Sequence, residues 1–134
     1  MPPRQLVPTG RLREGGTIAR KFTAYASSLP QIEVRPSAWT RRPAFFLDGR
    51  EICHFHAPRE LDVRLTRIVL RDLRPMVEAD PRLKPRPNRS DWVALRITND
   101  YDLEFACELF HLAYHANIGD LRLRRIHTAE SRRS

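Results

Sequence analysis

The sequence predicts an α+β domain: a four- to five-stranded, mainly antiparallel sheet with about three helices packed on one face. Short stretches that alternate apolar and polar residues indicate strands, and longer stretches with apolar residues three and four positions apart indicate helices. The two kinds of element follow one another without any internal repeat, which is typical of an α+β architecture. A chain of 134 residues is most simply a single domain of this kind.

The elements are expected in the order helix, strand, hairpin, strand, helix, strand, helix. Asp48-Gly49 predicts the hairpin turn, because glycine tolerates the positive φ that a tight turn requires. Thr17 and Thr66 are suitable N-caps for the first two helices. The expected helices cover residues 18–29, 67–74 and 101–117, and the expected strands cover residues 31–35, 44–47, 50–57, 61–65 and 91–97.

Both ends of the chain are predicted to lie outside the domain, which we place at residues 17–118. Residues 1–16 are expected to form a flexible leader, because prolines and then Gly15-Gly16 oppose a helix there. Residues 119–134 are expected to form a basic tail, because Gly119 is a suitable helix terminator, and the last six residues are expected to be disordered.

Composition limits the possible partners. The formal net charge is +8, and every basic residue except Lys21 and Lys84 is arginine, but acidic residues are interleaved throughout. No nucleic-acid-binding signature accompanies the charge, so nucleic acid is not an expected partner. No apolar run approaches the roughly 18 residues that span a bilayer, and the N-terminus lacks a secretory h-region. We therefore expect a cytoplasmic protein without a membrane partner; the oligomeric state stays open.

The two cysteines agree with that compartment. Cys53 and Cys107 each lie within an apolar pattern, and neither belongs to a C-x-x-C pair. We expect two reduced, buried thiols that pack as small apolar side chains.

His54 and His56 form the one close pair of histidines in the most strongly patterned stretch of the chain. Residues two apart on a strand point to the same face, whereas Glu51 is expected on the opposite face with Cys53. Two imidazoles on one face can serve a metal, a bound acid or an acid/base step. A metal needs a third and usually a fourth ligand, so no metal is expected. The alternative is that one histidine is hydrogen-bonded in the sheet surface and the other is solvated.

The last predicted helix carries a second set of polar residues on one stripe. Glu104, Glu108, His111 and His115 follow one another at spacings of four, three and four. Glu-x-x-His and His-x-x-x-His are spacings that metal sites use, but the helices of this chain supply no second Glu-x-x-His. A charged stripe is also what an ordinary surface helix shows. We expect this stripe to hold no metal.

Several segments together resemble the luciferase-like domain, a small domain named for the luciferase of bioluminescent fungi and widespread in bacterial proteins. The resemblance covers roughly residues 17–118. The segments are Leu29-Pro30, Ile32-Glu33, Trp39, Phe46-Leu47, Gly49-Arg50-Glu51, His54-x-His56, Leu61-Asp62-Val63-Arg64-Leu65-Thr66, Asp91-Trp92-Val93, Asp102-Leu103 and Leu112-Ala113-Tyr114.

The resemblance implies an oxidoreductase chemistry: the fungal enzyme adds O₂ to a hydroxylated pyrone, and no metal or organic cofactor is established for it. His54 and His56 are then the candidate catalytic residues, as bases toward an acidic phenol or enol. Glu51, Arg64 and Trp92 are the candidate ligand-binding residues. The alternatives are an ion pair for Glu51, a solvated position for Arg64 and a core position for Trp92. Light emission is not expected.

The leading hypothesis is a protein that binds a small aromatic or anionic ligand beside the His-x-His strand and acts as an oxygenase without a cofactor. The alternative hypothesis is a non-enzymatic interaction module for a protein or nucleic-acid partner. Composition and spacing alone define the fold class and one candidate site, but not the ligand.

Overall fold

The structure, a computed structural model, describes residues 14–38, 40–86 and 91–133. Residues 1–13 of the predicted leader, Trp39 and residues 87–90 lie outside these ranges. The helices are α1 (Glu14–Ala26), α2 (Arg67–Asp72), α3 (Arg74–Ala79) and α4 (Asp100–Arg133). The strands are β1 (Ile32–Pro36), β2 (Pro43–Leu47), β3 (Arg50–Ala57), β4 (Glu60–Arg64), β5 (Leu83–Pro85) and β6 (Trp92–Arg96).

The described strands form one antiparallel sheet in the order β1-β2-β3-β4-β6-β5, so the predicted α+β class is confirmed. The sheet has six strands rather than four or five. The additional strand is β5, which is not among the strands expected from the sequence and which pairs with β6 at the edge of the sheet. A strand of three residues that contains a proline is too short to show an alternation of apolar and polar residues. It forms because β6 supplies its hydrogen-bonding partner.

The β2–β3 hairpin turns as predicted. Asp48 and Gly49 have φ angles of 54° and 81°. Two consecutive positive φ angles are the geometry of a type I′ turn, whose twist matches that of the flanking strands. The hairpin thereby fixes the start of β3, the strand that carries His54 and His56.

Aromatic rings attach the two longest helices to one face of the sheet. Phe22 of α1 packs edge to face against Phe45, Phe55 and Phe110, with ring centroids 5.3, 5.7 and 5.4 Å away. All four rings are fully buried. Edge-to-face pairs add about 0.5–1.5 kcal/mol each beyond the apolar area that they bury. This cluster holds α1, α4, β2 and β3 together and leaves the other face of the sheet uncovered by these helices.

Both long helices differ from the predicted limits. α1 begins at Glu14 rather than at Ile18 and ends at Ala26 rather than at Leu29, and α4 continues through Gly119 to Arg133. The predicted termination at Gly119 is wrong because side chains beyond it are bound by the β2–β3 hairpin: Arg50 donates to Asp120 at 2.7 Å, and Arg125 pairs with Asp48. α4 has 34 residues, yet neither it nor any other described helix is apolar enough along its length to cross a bilayer.

The short helices follow local capping rules. The Thr66 hydroxyl accepts a hydrogen bond from the Val69 N–H at the start of α2, as predicted. Pro75 does not end the helical region; it lies in the first turn of α3, where its missing N–H would have no intrahelical partner anyway. Val77 of α3 and the partly buried Val69 of α2 both pack against the core.

Cys53 is buried and Cys107 partly buried, and both are free thiols. Burial, together with the nearby carboxylates of Glu104 and Glu108, raises the pKa of Cys107 to about 12. Such a thiol stays protonated and unreactive at neutral pH.

The aromatic cluster predicts a large effect of one truncation. Phe22→Ala is expected to lower the free energy of unfolding by about 3–5 kcal/mol, because it removes three ring contacts and leaves a cavity. Urea denaturation followed by circular dichroism measures this. Ile126→Ala on the exposed end of α4 is the control and is expected to change stability by less than about 0.5 kcal/mol. Equal effects of the two substitutions would contradict this account of the core.

Candidate functional site

The candidate site lies on the sheet face that α1 and α4 do not cover. Ala44, His54, Asp62 and Ala94 are cross-strand neighbours in one row across β2, β3, β4 and β6. The adjacent row contains Phe45, which packs against the helices. Because successive residues of a strand point to opposite faces, the row that contains His54 points away from these helices.

A cleft of about 400 Å³ opens over this row. Its walls come from the loop between β1 and β2 and from the residue that follows β5. The Thr40 hydroxyl donates to the Phe55 carbonyl at 3.2 Å and ties the loop to β3. The cleft is lined by Ser37, Thr40, Glu51, His54, His56, Asp62 and Arg86.

His54 lies at the centre of the cleft between two carboxylates and is only 9% exposed. Its Nε2 is 3.0 Å from Asp62 Oδ2, and its Nδ1 is 2.7 Å from Glu51 Oε2. The buried Nδ1 makes no well-aligned hydrogen bond, so its contact with Glu51 is electrostatic. A neutral imidazole has one N–H, so one of its nitrogens always presents a lone pair to a carboxylate. A second proton on the ring, or a cation between the ring and the carboxylate, replaces this repulsion with attraction.

The position of Glu51 corrects the sequence analysis, which placed it on the face opposite His54. Phe46 pairs with Glu51 and Phe45 pairs with Cys53, so Ile52 is an extra residue in β3. Such a β-bulge shifts the alternation by one residue. Ile52 and Cys53 are therefore both fully buried, and Glu51 lies on the same side as His54.

Arg86 orients Asp62 from the other side. Its Nη2 donates to Asp62 Oδ1 at 2.7 Å and to Glu60 Oε2 at 3.1 Å, and its Nε donates to Asp62 Oδ1 at 3.2 Å. Burial alone raises the pKa of Asp62, but the hydrogen bonds and charges of His54 and Arg86 outweigh it and hold the pKa below its usual value. Asp62 is thus ionised at neutral pH, with Oδ1 held by Arg86 and Oδ2 directed toward His54.

His56 is exposed and lies at the edge of this group. Its Nδ1 is 4.0 Å from Asp62 Oδ2. His54, His56 and Asp62 each offer one possible metal-ligand atom, and these three atoms all lie within 4.8 Å of one another. Within the described ranges, no other group of three or more histidine, cysteine or carboxylate side chains is arranged in this way. Two imidazoles and a carboxylate are a donor set that zinc and non-haem iron sites use.

Arg64 and Trp92 lie beside the cleft but do not line it. Arg64 donates to the Asn117 side chain and pairs with Asp91 at 3.3 Å, so its guanidinium is committed to contacts that link β4 to α4. Trp92 is partly buried, and its ring centroid is 5.4 Å from that of His54. Trp92 therefore restrains the His54 ring. Whether either residue contacts a ligand stays a prediction.

The polar stripe on α4 brings its two histidines together. His111 Nε2 and His115 Nε2 are 3.2 Å apart, and both rings are on the exposed surface. Neither Glu104 nor Glu108 joins them in a three-residue cluster among the described side chains. The stripe thus offers two ligand atoms, whereas the cleft offers three.

Asp62 and Arg86 belong to the site but were not predicted as site residues. Asp62 was assigned only as a polar residue of an alternating strand. The strands expected at residues 50–57 and 61–65 could have placed Asp62 near His54, because the short connection between them makes the strands antiparallel neighbours and brings these positions face to face. Arg86 follows the unpredicted strand β5, and its sequence context gave no signal.

Comparison with known proteins agrees with the family resemblance. The family model of the Luciferase domain matches residues 49–113, which include all five predicted site residues. This stretch of the chain therefore belongs to the Luciferase domain family. Neither the curated proteins nor the solved structures include a significant match to the chain.

The Asp62 environment predicts a pH effect. Arg86→Gln is expected to raise the pKa of Asp62, because it removes a positive charge and two hydrogen bonds but leaves the carboxyl buried. In the native protein the pKa of Asp62 is below the unfolded value of about 3.9. The ionised group therefore stabilises the fold above about pH 4, and this stabilisation is lost as the pH falls through the folded pKa.

Carboxyl ¹³C NMR titration measures the change, with the exposed Arg20→Gln of α1 as the control. An Asp62 pKa that stays the same or falls in folded Arg86→Gln would contradict the role assigned to Arg86.

Proposed function

We propose that the protein binds a small aromatic molecule that carries a hydroxyl group, in the cleft beside His54 and His56. One observation carries the proposal: a buried histidine lies between two carboxylates at the floor of an open cleft. Concave sites with a few convergent polar groups are typical of small-molecule binding. A hydroxyl suits this site because it can donate to a carboxylate oxygen and accept from an imidazole N–H.

The charges of the cleft favour a neutral ligand. Glu51 and Asp62 each contribute a negative charge and Arg86 contributes one positive charge. With neutral histidines, one negative charge remains in excess. An anionic ligand would be repelled unless a cation accompanied it, so of the two expected ligand classes, aromatic or anionic, the neutral aromatic one is favoured.

The activity that we propose for the metal-free cleft is addition of O₂ to the bound ring, the reaction that the family resemblance implies. His56 is the group best placed to accept the hydroxyl proton, because both nitrogens of His54 already contact carboxylates. The enolate formed is electron-rich, and its carbon bonds to O₂. The carbon is oxidised, O₂ is reduced to a peroxide, and the peroxide takes the proton back, so no other reductant is needed.

We also propose a cytoplasmic location. Its support is that Cys53 and Cys107 are free thiols. Reduced cysteines are the normal state of a cytoplasmic protein.

A second candidate function is docking of a protein partner on the C-terminal half of α4. It is favoured by two large apolar side chains, Leu123 and Ile126, which are 62% and 57% exposed. This hypothesis predicts that Leu123→Ser with Ile126→Ser abolishes partner capture and leaves ligand binding in the cleft unchanged.

The proposed ligand site predicts a selective loss of affinity. Phenols and pyrones that stabilise the EDTA-treated protein in a thermal-shift screen are expected to bind His56→Ala roughly fivefold more weakly, because one hydrogen bond of about 1 kcal/mol is lost. Isothermal titration calorimetry measures the Kd. His127→Ala, an exposed histidine of α4, is the control and is expected to bind like the wild type. Equal affinity of all three proteins would reject the role of His56.

A further inference from the structure

We infer that the cleft also holds one divalent first-row transition-metal ion, coordinated by Nε2 of His54, Nδ1 of His56 and Oδ2 of Asp62. No metal was expected from the sequence because the His-x-His pair had no third ligand. Asp62, the cross-strand neighbour of His54, supplies that ligand. This inference deepens the proposed function and rests on the same cleft.

The distances suit such an ion. Ligand atoms about 2.1 Å from a tetrahedral metal are about 3.4 Å from one another. His54 Nε2 is 3.0 Å from Asp62 Oδ2, and His56 Nδ1 is 4.0 Å from the same oxygen. The two buried ligand atoms are about 0.4 Å closer than this spacing, and His56 Nδ1 is about 0.6 Å too far from Asp62 Oδ2. A small separation of the buried pair and an inward rotation of His56, whose side chain is 53% exposed, would bring the three atoms to coordination distance.

The groups behind the ligands have the arrangement that metal sites require. A histidine ligand usually directs its second ring nitrogen at a carboxylate, which fixes the tautomer. Glu51 Oε2 lies 2.7 Å from His54 Nδ1, so a proton on Nδ1 leaves the Nε2 lone pair for the metal. Arg86 holds Asp62 Oδ1 and leaves Oδ2 available. Each buried ligand therefore has a charged neighbour on its far side, Glu51 for His54 and Arg86 for Asp62.

Charge favours a cation at the same point. The hydrogen bond that His54 donates to Asp62 in the ion-free cleft places a proton between Nε2 and Oδ2, which are 3.0 Å apart. A divalent ion can replace this proton while Nδ1, beside Glu51, takes it up, and the ion offsets the excess negative charge of the cleft. Nitrogen donors select zinc, iron or cobalt over magnesium and calcium, which prefer oxygen.

The remaining coordination position faces the open cleft. Three protein ligands with one open position are the pattern of catalytic rather than structural sites. The ion would stabilise an ionised ligand hydroxyl directly, and its proton would pass to solvent, since His56 then serves as a metal ligand. A bound ion would in this way extend the ligands of the cleft to phenolates and enolates.

The test uses the untagged full-length protein, stripped with EDTA and titrated with Co²⁺. We expect one Co²⁺ per chain, with d–d absorption bands typical of nitrogen and oxygen ligands. His56→Ala and Asp62→Asn are expected to weaken binding at least tenfold, and Glu51→Gln is expected to weaken it by about 10- to 100-fold. Mg²⁺ at the same concentration is expected not to displace Co²⁺.

The double variant His111→Ala with His115→Ala is the matched control, because it removes the other close histidine pair. It should bind Co²⁺ like the wild type. Absence of Co²⁺ binding, loss of binding in this control, or unchanged binding in folded His56→Ala and Asp62→Asn would each overturn the inference. Ligand binding to the metal-free protein tests the proposed function separately, so either proposal can fail without the other.

Discussion

The β-bulge at Ile52 is the constraint on which the site depends. By adding one residue to β3, it buries Ile52 and Cys53 together and turns Glu51 toward the cleft. Without it, regular alternation would bury the Glu51 carboxylate against the apolar helices, and His54 would face a single carboxylate. One backbone irregularity thus converts a pair of histidines into a histidine held between two acids. Bulges beside functional sites commonly re-aim side chains in this way.

The cleft is rigid on one side and adjustable on the other. Glu51 and Asp62 flank His54, Arg86 holds Asp62, and Trp92 lies beside the His54 ring. Buried polar groups that are fully partnered specify one geometry, whereas partly satisfied groups are costly. In this site Nδ1 of His54 lacks an aligned hydrogen-bond partner. A positive charge beside the ring would offset the two carboxylates that flank it. His56, which is exposed, has space to turn toward a ligand or an ion.

Local chemistry predicted much of the fold. The Asp48-Gly49 turn and the Thr66 cap depend on neighbouring residues alone, so the sequence reveals them. The helix end expected at Gly119 was wrong because ion pairs with a distant hairpin continue α4. The histidine pair was visible in the sequence, but its partners were not. The bulge at Ile52 has no local signature, and Arg86 reaches the site only through a short edge strand that forms by pairing with β6.

A crystal of the protein soaked with Zn²⁺ and recorded at the zinc absorption edge tests directly whether the row of His54 and Asp62 is a binding centre. We expect one strong anomalous peak within about 2.0–2.2 Å of His54 Nε2, His56 Nδ1 and Asp62 Oδ2. Glu51 should remain in contact with His54 Nδ1 in that structure. A peak at His111 and His115 with none in the cleft would contradict the account.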